Sequence, residues 1–168
     1  AQFINEVLLP FQRNTGPNLS PFNAWVVLKG LETLELRAMR QSESALKLGR
    51  FLEPRVPKML HPGLPSHPRH ELAIKQMVAT GSIFAFDVGS RAKAFAVLDA
   101  LRLIDISNNI GDARSLMCHP ASSTHANMGE EGRAEMGVTE GLLRINVGLE
   151  DPQDLIEDLD QALKAAGF

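Results

Sequence analysis

Between residues 22 and 51, apolar side chains return mostly every three or four positions. Trp25, Leu28, Leu31, Leu34, Leu36, Met39, Leu46 and Leu48 mark one long helical stretch. Ser20 followed by Pro21 predicts its start, with a side-chain oxygen at the N-cap and a proline at the first helical position. Gly30 is the expected weak point, and Pro54 and Pro57 end the run. Upstream, Phe3, Ile4, Val7 and Leu8 suggest a short helical turn before the turn-rich Asn14-Thr-Gly-Pro-Asn18. Downstream the period changes. Residues 56–60 fit a short edge strand, His61-Pro-Gly-Leu-Pro-Ser-His-Pro68 a linker, and residues 69–78 a helix. Ser82-Ile-Phe-Ala-Phe-Asp-Val88 is the clearest strand. Ser90 then caps a helix reaching Ala100, whose apolar side is Phe95, Val97 and Leu98 with Leu101 beyond it. Further strands are expected at 103–107, 115–119 and 142–148. Asp151-Pro152 opens a last amphipathic helix that buries Leu155, Ile156, Leu159 and Leu163 and ends near Gly167.

Strands and helices are mixed without regular alternation among the later strands. The pattern therefore predicts an α+β fold: a small, mostly antiparallel sheet with helices packed on one face, preceded by a long helical arm. Residues 1–52 would form the N-terminal segment and arm, and residues 53–168 the α+β domain.

Composition narrows the function classes. The 168 residues carry 44% hydrophobic and 22% charged side chains, enough for one ordinary globular core. A net charge of −3 and the absence of a basic run argue against nucleic acid or an anionic membrane as partner. Cys118 is the only cysteine, which excludes an internal disulfide and fits a cytoplasmic, reducing environment. There is no tyrosine, so one common acid–base side chain is missing from every mechanism.

Candidate chemistry centres on Gly141-Leu-Leu-Arg-Ile-Asn-Val-Gly-Leu-Glu-Asp151. Leu143, Ile145 and Val147 fall on one face of a period-two strand, and Leu142, Arg144 and Asn146 on the other. Arg144 is either a partly exposed structural arginine or a guanidinium aimed at an anion, and its planar fork suits a carboxylate. The second cluster is Asn109-Ile-Gly-Asp-Ala-Arg-Ser-Leu-Met-Cys-His-Pro-Ala-Ser-Ser-Thr-His125. Its amide, hydroxyl and imidazole groups could line a polar ligand site. Turn chemistry at Asn109, Gly111 and Asp112 and a solvated loop at Ser122, Ser123 and Thr124 explain the same residues. His61, His67 and His70 lack the carboxylate or thiolate support of a metal site. Cys118 and His119 are neighbours in a strand and point to opposite faces, so they cannot pair as nucleophile and base.

Together these two clusters resemble the C-terminal domain of the cystathionine γ-synthase family of pyridoxal-phosphate enzymes. Thr15-Gly-Pro-Asn-Leu-Ser-Pro-Phe-Asn-Ala-Trp25 and Lys29-Gly-Leu-Glu-Thr-Leu-Glu-Leu-Arg37 resemble the stretch that precedes it in that family. The resemblance covers essentially the whole chain in one order. It implies that Arg144 clamps the α-carboxylate of an amino-acid substrate, that Asn109 lies beside the same carboxylate, and that Thr124 sits near the arginine. The branch resembled most replaces succinate at the γ-carbon of O-succinylhomoserine by sulfide to give homocysteine. The cystathionine γ-synthase, O-acetylhomoserine sulfhydrylase and methionine γ-lyase branches share the clamp. Family members assemble as homotetramers, dimers of dimers.

The family's Schiff-base lysine stands in a Ser-x-Thr-Lys context, which this sequence lacks. Its lysines are Lys29, Lys47, Lys58, Lys75, Lys93 and Lys164. The resemblance thus implies the C-terminal part of a longer polypeptide, whose N-terminal cofactor domain binds pyridoxal 5'-phosphate and packs on residues 1–52. A free-standing, non-catalytic module binding an amino acid or a protein is the reading from another class. The unhoused apolar stripe of residues 20–52 weighs against it.

Overall fold

A computed structural model describes residues 1–16 and 19–168. The chain divides into two compact units, Ala1–Glu35 and Leu36–Phe168.

The first unit is helical. A helical segment through Ile4–Leu8 continues into α1 (Leu9–Thr15), which ends on Gly16 in the left-handed conformation at φ 70°. Asn14 and Thr15 are thus still helical, and the remainder of the turn expected there, residues 17 and 18, lies outside the described residues. α2 (Pro21–Glu32) begins as its sequence dictates: Ser20 Oγ accepts from the Asn23 N–H at 3.2 Å, and Pro21 opens the first turn. The helix does not break at Gly30. A mid-helix glycine costs about 1 kcal/mol relative to alanine, which alone does not end a helix. The interruption falls on Thr33, a β-branched residue at φ −114°, ψ 10°. No side chain of α1 or α2 is buried.

The second unit holds a five-stranded sheet. Its strands are β1 (Lys58–Leu60), β2 (Ile83–Asp87), β3 (Asp105–Ile106), β4 (Leu116–Cys118) and β5 (Leu142–Asn146), in the order β1-β2-β5-β4-β3. All neighbours are antiparallel except β3 and β4. Register puts Phe84 opposite Ile145, Phe86 opposite Leu143 and Met117 opposite Ile145, so these residues share one face. On that face pack α3 (Leu34–Leu52) through Ala45, Leu48 and Leu52, α5 (Arg91–Ala100) through Ala94, Val97 and Leu98, and α7 (Pro152–Ala165) through Leu155, Leu159, Ala162 and Leu163. The α+β prediction holds, with helices on a single face. Two details differ. The compact unit takes in α3 from Leu36 onward rather than beginning at residue 53. Phe95 stays exposed at 37%, and Ala94 takes the buried place in α5.

Residues 61–68 are no linker. Leu64 N–H donates to His61 O and His67 N–H to Leu64 O, both at 3.0 Å, and the His61 and Leu64 side chains are buried. Proline and glycine reported turns there, and turns can be packed as well as solvated. The short α4 (His70–Gln76) follows. Asp158 ties α7 to the chain after α5: its carboxylate accepts from the N–H groups of Arg102, Leu103 and Ile104 at 2.9–3.0 Å. Among the described residues, no helix is long and apolar enough to cross a membrane.

Candidate functional site

β5 is fixed at both ends by glycines. At its start, Gly141 O accepts from the Val88 N–H at 3.0 Å. A Cβ on Gly141 would run into the Asp87 carboxylate and the N–H groups of Gly89 and Ser90. Asp87 itself accepts from Gly89 N–H at 2.6 Å and from the Thr139 hydroxyl. Past the far end, Gly148 N–H donates to Ser115 Oγ at 2.8 Å, and a Cβ there would strike the Ala113 carbonyl. Glu150 completes this joint by accepting from Ser115 N–H at 2.7 Å and Ser115 Oγ at 2.8 Å.

Between these anchors Arg144 emerges on the face opposite the helices. Its cross-strand neighbours are Ala85 on β2 and Cys118 on β4, both small, which leaves room for the long side chain. Arg144 is half-buried as a residue, and one Nη2–H donates to the carbonyl of Asn108 at 2.7 Å. Among the described residues no carboxylate pairs with it. A guanidinium carries five N–H donors in a fixed fork, so most of its donor capacity remains for a ligand oxygen pair.

The residues expected around Arg144 divide into two groups. The loop containing Asn109 is there, yet its contact to the guanidinium is made by the preceding residue through the backbone. Asn109 is exposed, and its N–H donates to Ser107 Oγ at 3.3 Å. Thr124 is exposed and hydrogen-bonds to His125 Nδ1 at 2.8 Å; among the described residues no hydrogen bond joins it to Arg144 or to residues 108–112. The run that contains it is knotted by internal bonds: buried His119 meets Ser122 Oγ at 2.8 Å through Nδ1 and the Glu140 carbonyl at 2.9 Å through Nε2. Since a carbonyl only accepts, Nε2 carries the proton and the imidazole has no free nitrogen for chemistry. A cavity of about 250 Å³ lies beside the site, walled by Phe95, Leu98 and Ile106 and sharing Asn108 and Cys118 with the surroundings of Arg144.

Three residues that hold the surroundings of Arg144 escape the sequence pattern. Asn108 acts through its carbonyl, which every residue type possesses. Gln41 donates from Nε2 to the Asp112 carbonyl at 2.7 Å, across a gap of sequence that no local pattern spans. Asn146 was visible as a polar residue on Arg144's face, and its Oδ1 accepts from Gly111 N–H at 3.2 Å and Ser82 Oγ at 3.3 Å.

The histidines near β1 are spent on local structure. His61 Nδ1 accepts from Gly63 N–H at 2.9 Å, His67 Nδ1 from Arg69 N–H at 3.2 Å, and His70 Nδ1 lies 3.0 Å from the Pro62 carbonyl. Burial drives the His61 pKa down to about 4, and the nearby His67 adds to the shift against an opposing backbone hydrogen bond.

The family model described as Cys/Met metabolism PLP-dependent enzyme matches residues 2–164. The O-succinylhomoserine sulfhydrylase of Mycobacterium tuberculosis is 48% identical over 96% of this chain and 42% of its own length. That of Pseudomonas aeruginosa is 46% identical over 92% and 39%, and the cystathionine gamma-lyase of Mus musculus 42% identical over 97% and 42%. The chain therefore spans about two fifths of the length of these relatives. Among solved structures, one from Campylobacter jejuni, assigned as an O-acetylhomoserine (thiol)-lyase and containing N'-pyridoxyl-lysine-5'-monophosphate, has a TM-score of 0.84 at 35% identity, covering 96% of this chain and 39% of that one. Cystathionine gamma synthase from Xanthomonas oryzae pv. oryzae, in complex with cystathionine, has a TM-score of 0.83 at 39% identity, covering 88% and 39%.

Proposed function

The chain belongs to the Cys/Met metabolism PLP-dependent enzyme family, and on that premise we propose that it is the substrate-carboxylate domain of an O-succinylhomoserine sulfhydrylase. In the full-length protein the reaction would replace succinate by sulfide at the γ-carbon, giving homocysteine and free succinate. The observation that carries this reading is Arg144, a half-buried residue whose guanidinium has one N–H on the Asn108 carbonyl and, among the described residues, no carboxylate partner.

The family's cofactor is pyridoxal 5'-phosphate, which acts as an electron sink for the amino acid joined to it. The residues around Arg144 do not fit that group, because holding its aldehyde requires a lysine. Lys93 lies over the Phe168 ring, Lys164 pairs with Asp160 and Lys29 with Glu32, and among the described residues no lysine hydrogen-bonds to Arg144 or to residues 107–112. What Arg144 does is geometric: paired with the α-carboxylate, it fixes one end of the substrate and so orients the Cα–H and the γ-substituent. Asn109, beside the Asn108 carbonyl, is proposed to border the same carboxylate, and Thr124 to border the site from the 120–125 loop.

The exposed apolar side chains of residues 1–35 support packing of that unit on the N-terminal cofactor domain of the same protein. A cytoplasmic homotetramer is proposed from the family resemblance alone. In the full-length enzyme, Arg144→Ala should raise KM for the homoserine ester on the order of 100-fold, as expected for losing a bidentate charge-assisted pair of about 3 kcal/mol. An unchanged KM removes Arg144 from the site. Turnover of O-succinylhomoserine with sulfide, set against O-acetylhomoserine and cystathionine, decides between the sulfhydrylase and the lyase branches.

A further inference from the structure

Asn146 follows Arg144 by two residues on the same face of β5, so the two side chains are neighbours along the strand. It is only 1% exposed, and a buried amide must find partners. Its Oδ1 does: Gly111 N–H and Ser82 Oγ both donate to it. Its Nδ2 has none among the described residues. A buried donor left unpaired costs about 1–3 kcal/mol, which an apolar side chain at this position would avoid. Packing alone therefore does not account for an asparagine here. What the residue supplies is an acceptor aimed at Gly111.

Gly111, at φ 79°, turns the loop that holds Arg144. Residues 108–112 are exposed throughout, Ile110 included, so burial does little to fix them. Among the described residues two side-chain bonds are local, Asn109 N–H to Ser107 Oγ and Arg114 N–H to Asp112 Oδ1, and three reach distant parts of the fold. Asn108 O receives Arg144, Gly111 N–H reaches Asn146, and Asp112 O receives Gln41. The neighbouring helical residue Ser42 accepts from Gly81 N–H at 3.1 Å, next to the Ser82 that also meets Asn146. The loop is thus pinned at its middle by Asn146 and at its far end by α3, and its near end sets where the guanidinium lies.

We infer that Asn146 is a positioning residue for Arg144, acting through Gly111 to hold the Asn108 carbonyl where it orients the guanidinium for the substrate carboxylate. Loss of the Asn146 oxygen frees the middle of the loop, the Asn108 carbonyl drifts, and the fork no longer meets both carboxylate oxygens at once. The inference rests on the reading of Arg144 as the carboxylate clamp.

The test is a double-mutant cycle on the full-length enzyme with O-succinylhomoserine and sulfide. Asn146→Ala should raise KM for the ester on the order of tenfold while kcat changes less than about twofold, the split expected when only binding is lost. In an Arg144→Ala background the same substitution should add nothing, because the residue through which it acts is gone. A wild-type KM in Asn146→Ala, or full additivity in the cycle, overturns the inference. If Arg144→Ala alone leaves KM unchanged, the clamp itself fails, which is a different result. Should Asn146→Ala not fold, Gln41→Ala removes the adjacent tie and carries the same expectation of a raised KM at constant kcat; an unchanged KM there overturns the inference.

Discussion

Helices α2 and α7 are of similar length and both open on a capped proline, but they sit in opposite surroundings. In α7 the apolar residues Leu155, Leu159, Ala162 and Leu163 form one stripe and are buried to the last few per cent. In α2 the apolar residues include the consecutive Trp25, Val26, Val27 and Leu28, which cover every side of the helix, and all are about half exposed. A helix with one apolar stripe is finished by a single neighbour, whereas one that is apolar all round calls for neighbours on several sides. The contrast extends to the units that contain them. Residues 36–168 hold their own core and their own buried polar anchors, while residues 1–35 bury no helical side chain at all. Stability of this chain should therefore reside in the second unit, and the first should matter only where the proposed cofactor domain covers it.

The largest effect expected is in that core. Phe86 is fully buried in β2, and Phe86→Ala should cost about 4 kcal/mol by lost burial plus the cavity left behind, read by urea unfolding of the 168-residue chain. A loss under 1 kcal/mol would mean that the sheet is not the seat of stability.

Acid provides a second probe, since all five histidines lie beyond residue 36. Burial holds His61 neutral in the folded chain, with a pKa of about 4. Above the ordinary histidine value near 6.5, both folded and unfolded states are neutral and His61 costs nothing. As pH falls from there toward 4, the unfolded chain takes up a proton that the folded chain refuses, so stability declines by up to roughly 3 kcal/mol. Below that window the decline from His61 stops. His61→Gln should flatten this part of the unfolding-versus-pH curve; equal slopes in both proteins would place His61 in contact with water.

The smallest effect is expected in the first unit. Trp25→Ser should change the unfolding free energy of the 168-residue chain by less than about 0.5 kcal/mol, the usual range for an exposed site. In the full-length enzyme the same substitution should cost about 2 kcal/mol or more if a cofactor domain covers the indole. Equal, small losses in both would refute that docking.

Much of this organisation is legible in the sequence because it is local. Ser20-Pro21, Ser90 and Asp151-Pro152 start helices through oxygens that reach N–H groups two or three residues on. Strand β2 reads directly from its alternation. Strand order does not, because β5, the last strand in sequence, inserts between β2 and β4. The site shows the same division. Arg144 is conspicuous as a charge in an apolar strand, but its partner is a carbonyl, and carbonyls leave no mark on residue type. The segment 61–68 shows the reverse error. Proline and glycine describe how a chain bends, and burial of His61 and Leu64 depends on what the bend meets.

The two glycines that bracket β5 have a further consequence. Each occupies a slot that only a hydrogen atom fits, one against Asp87 and the other against the Ala113 carbonyl. The strand is keyed at both ends. Sliding it by one residue would force a side chain into each slot and turn Arg144 toward the helices. β5 therefore serves as the fixed datum of this domain, and the reach of its guanidinium can be retuned only from the adjustable side, by the loop that faces it.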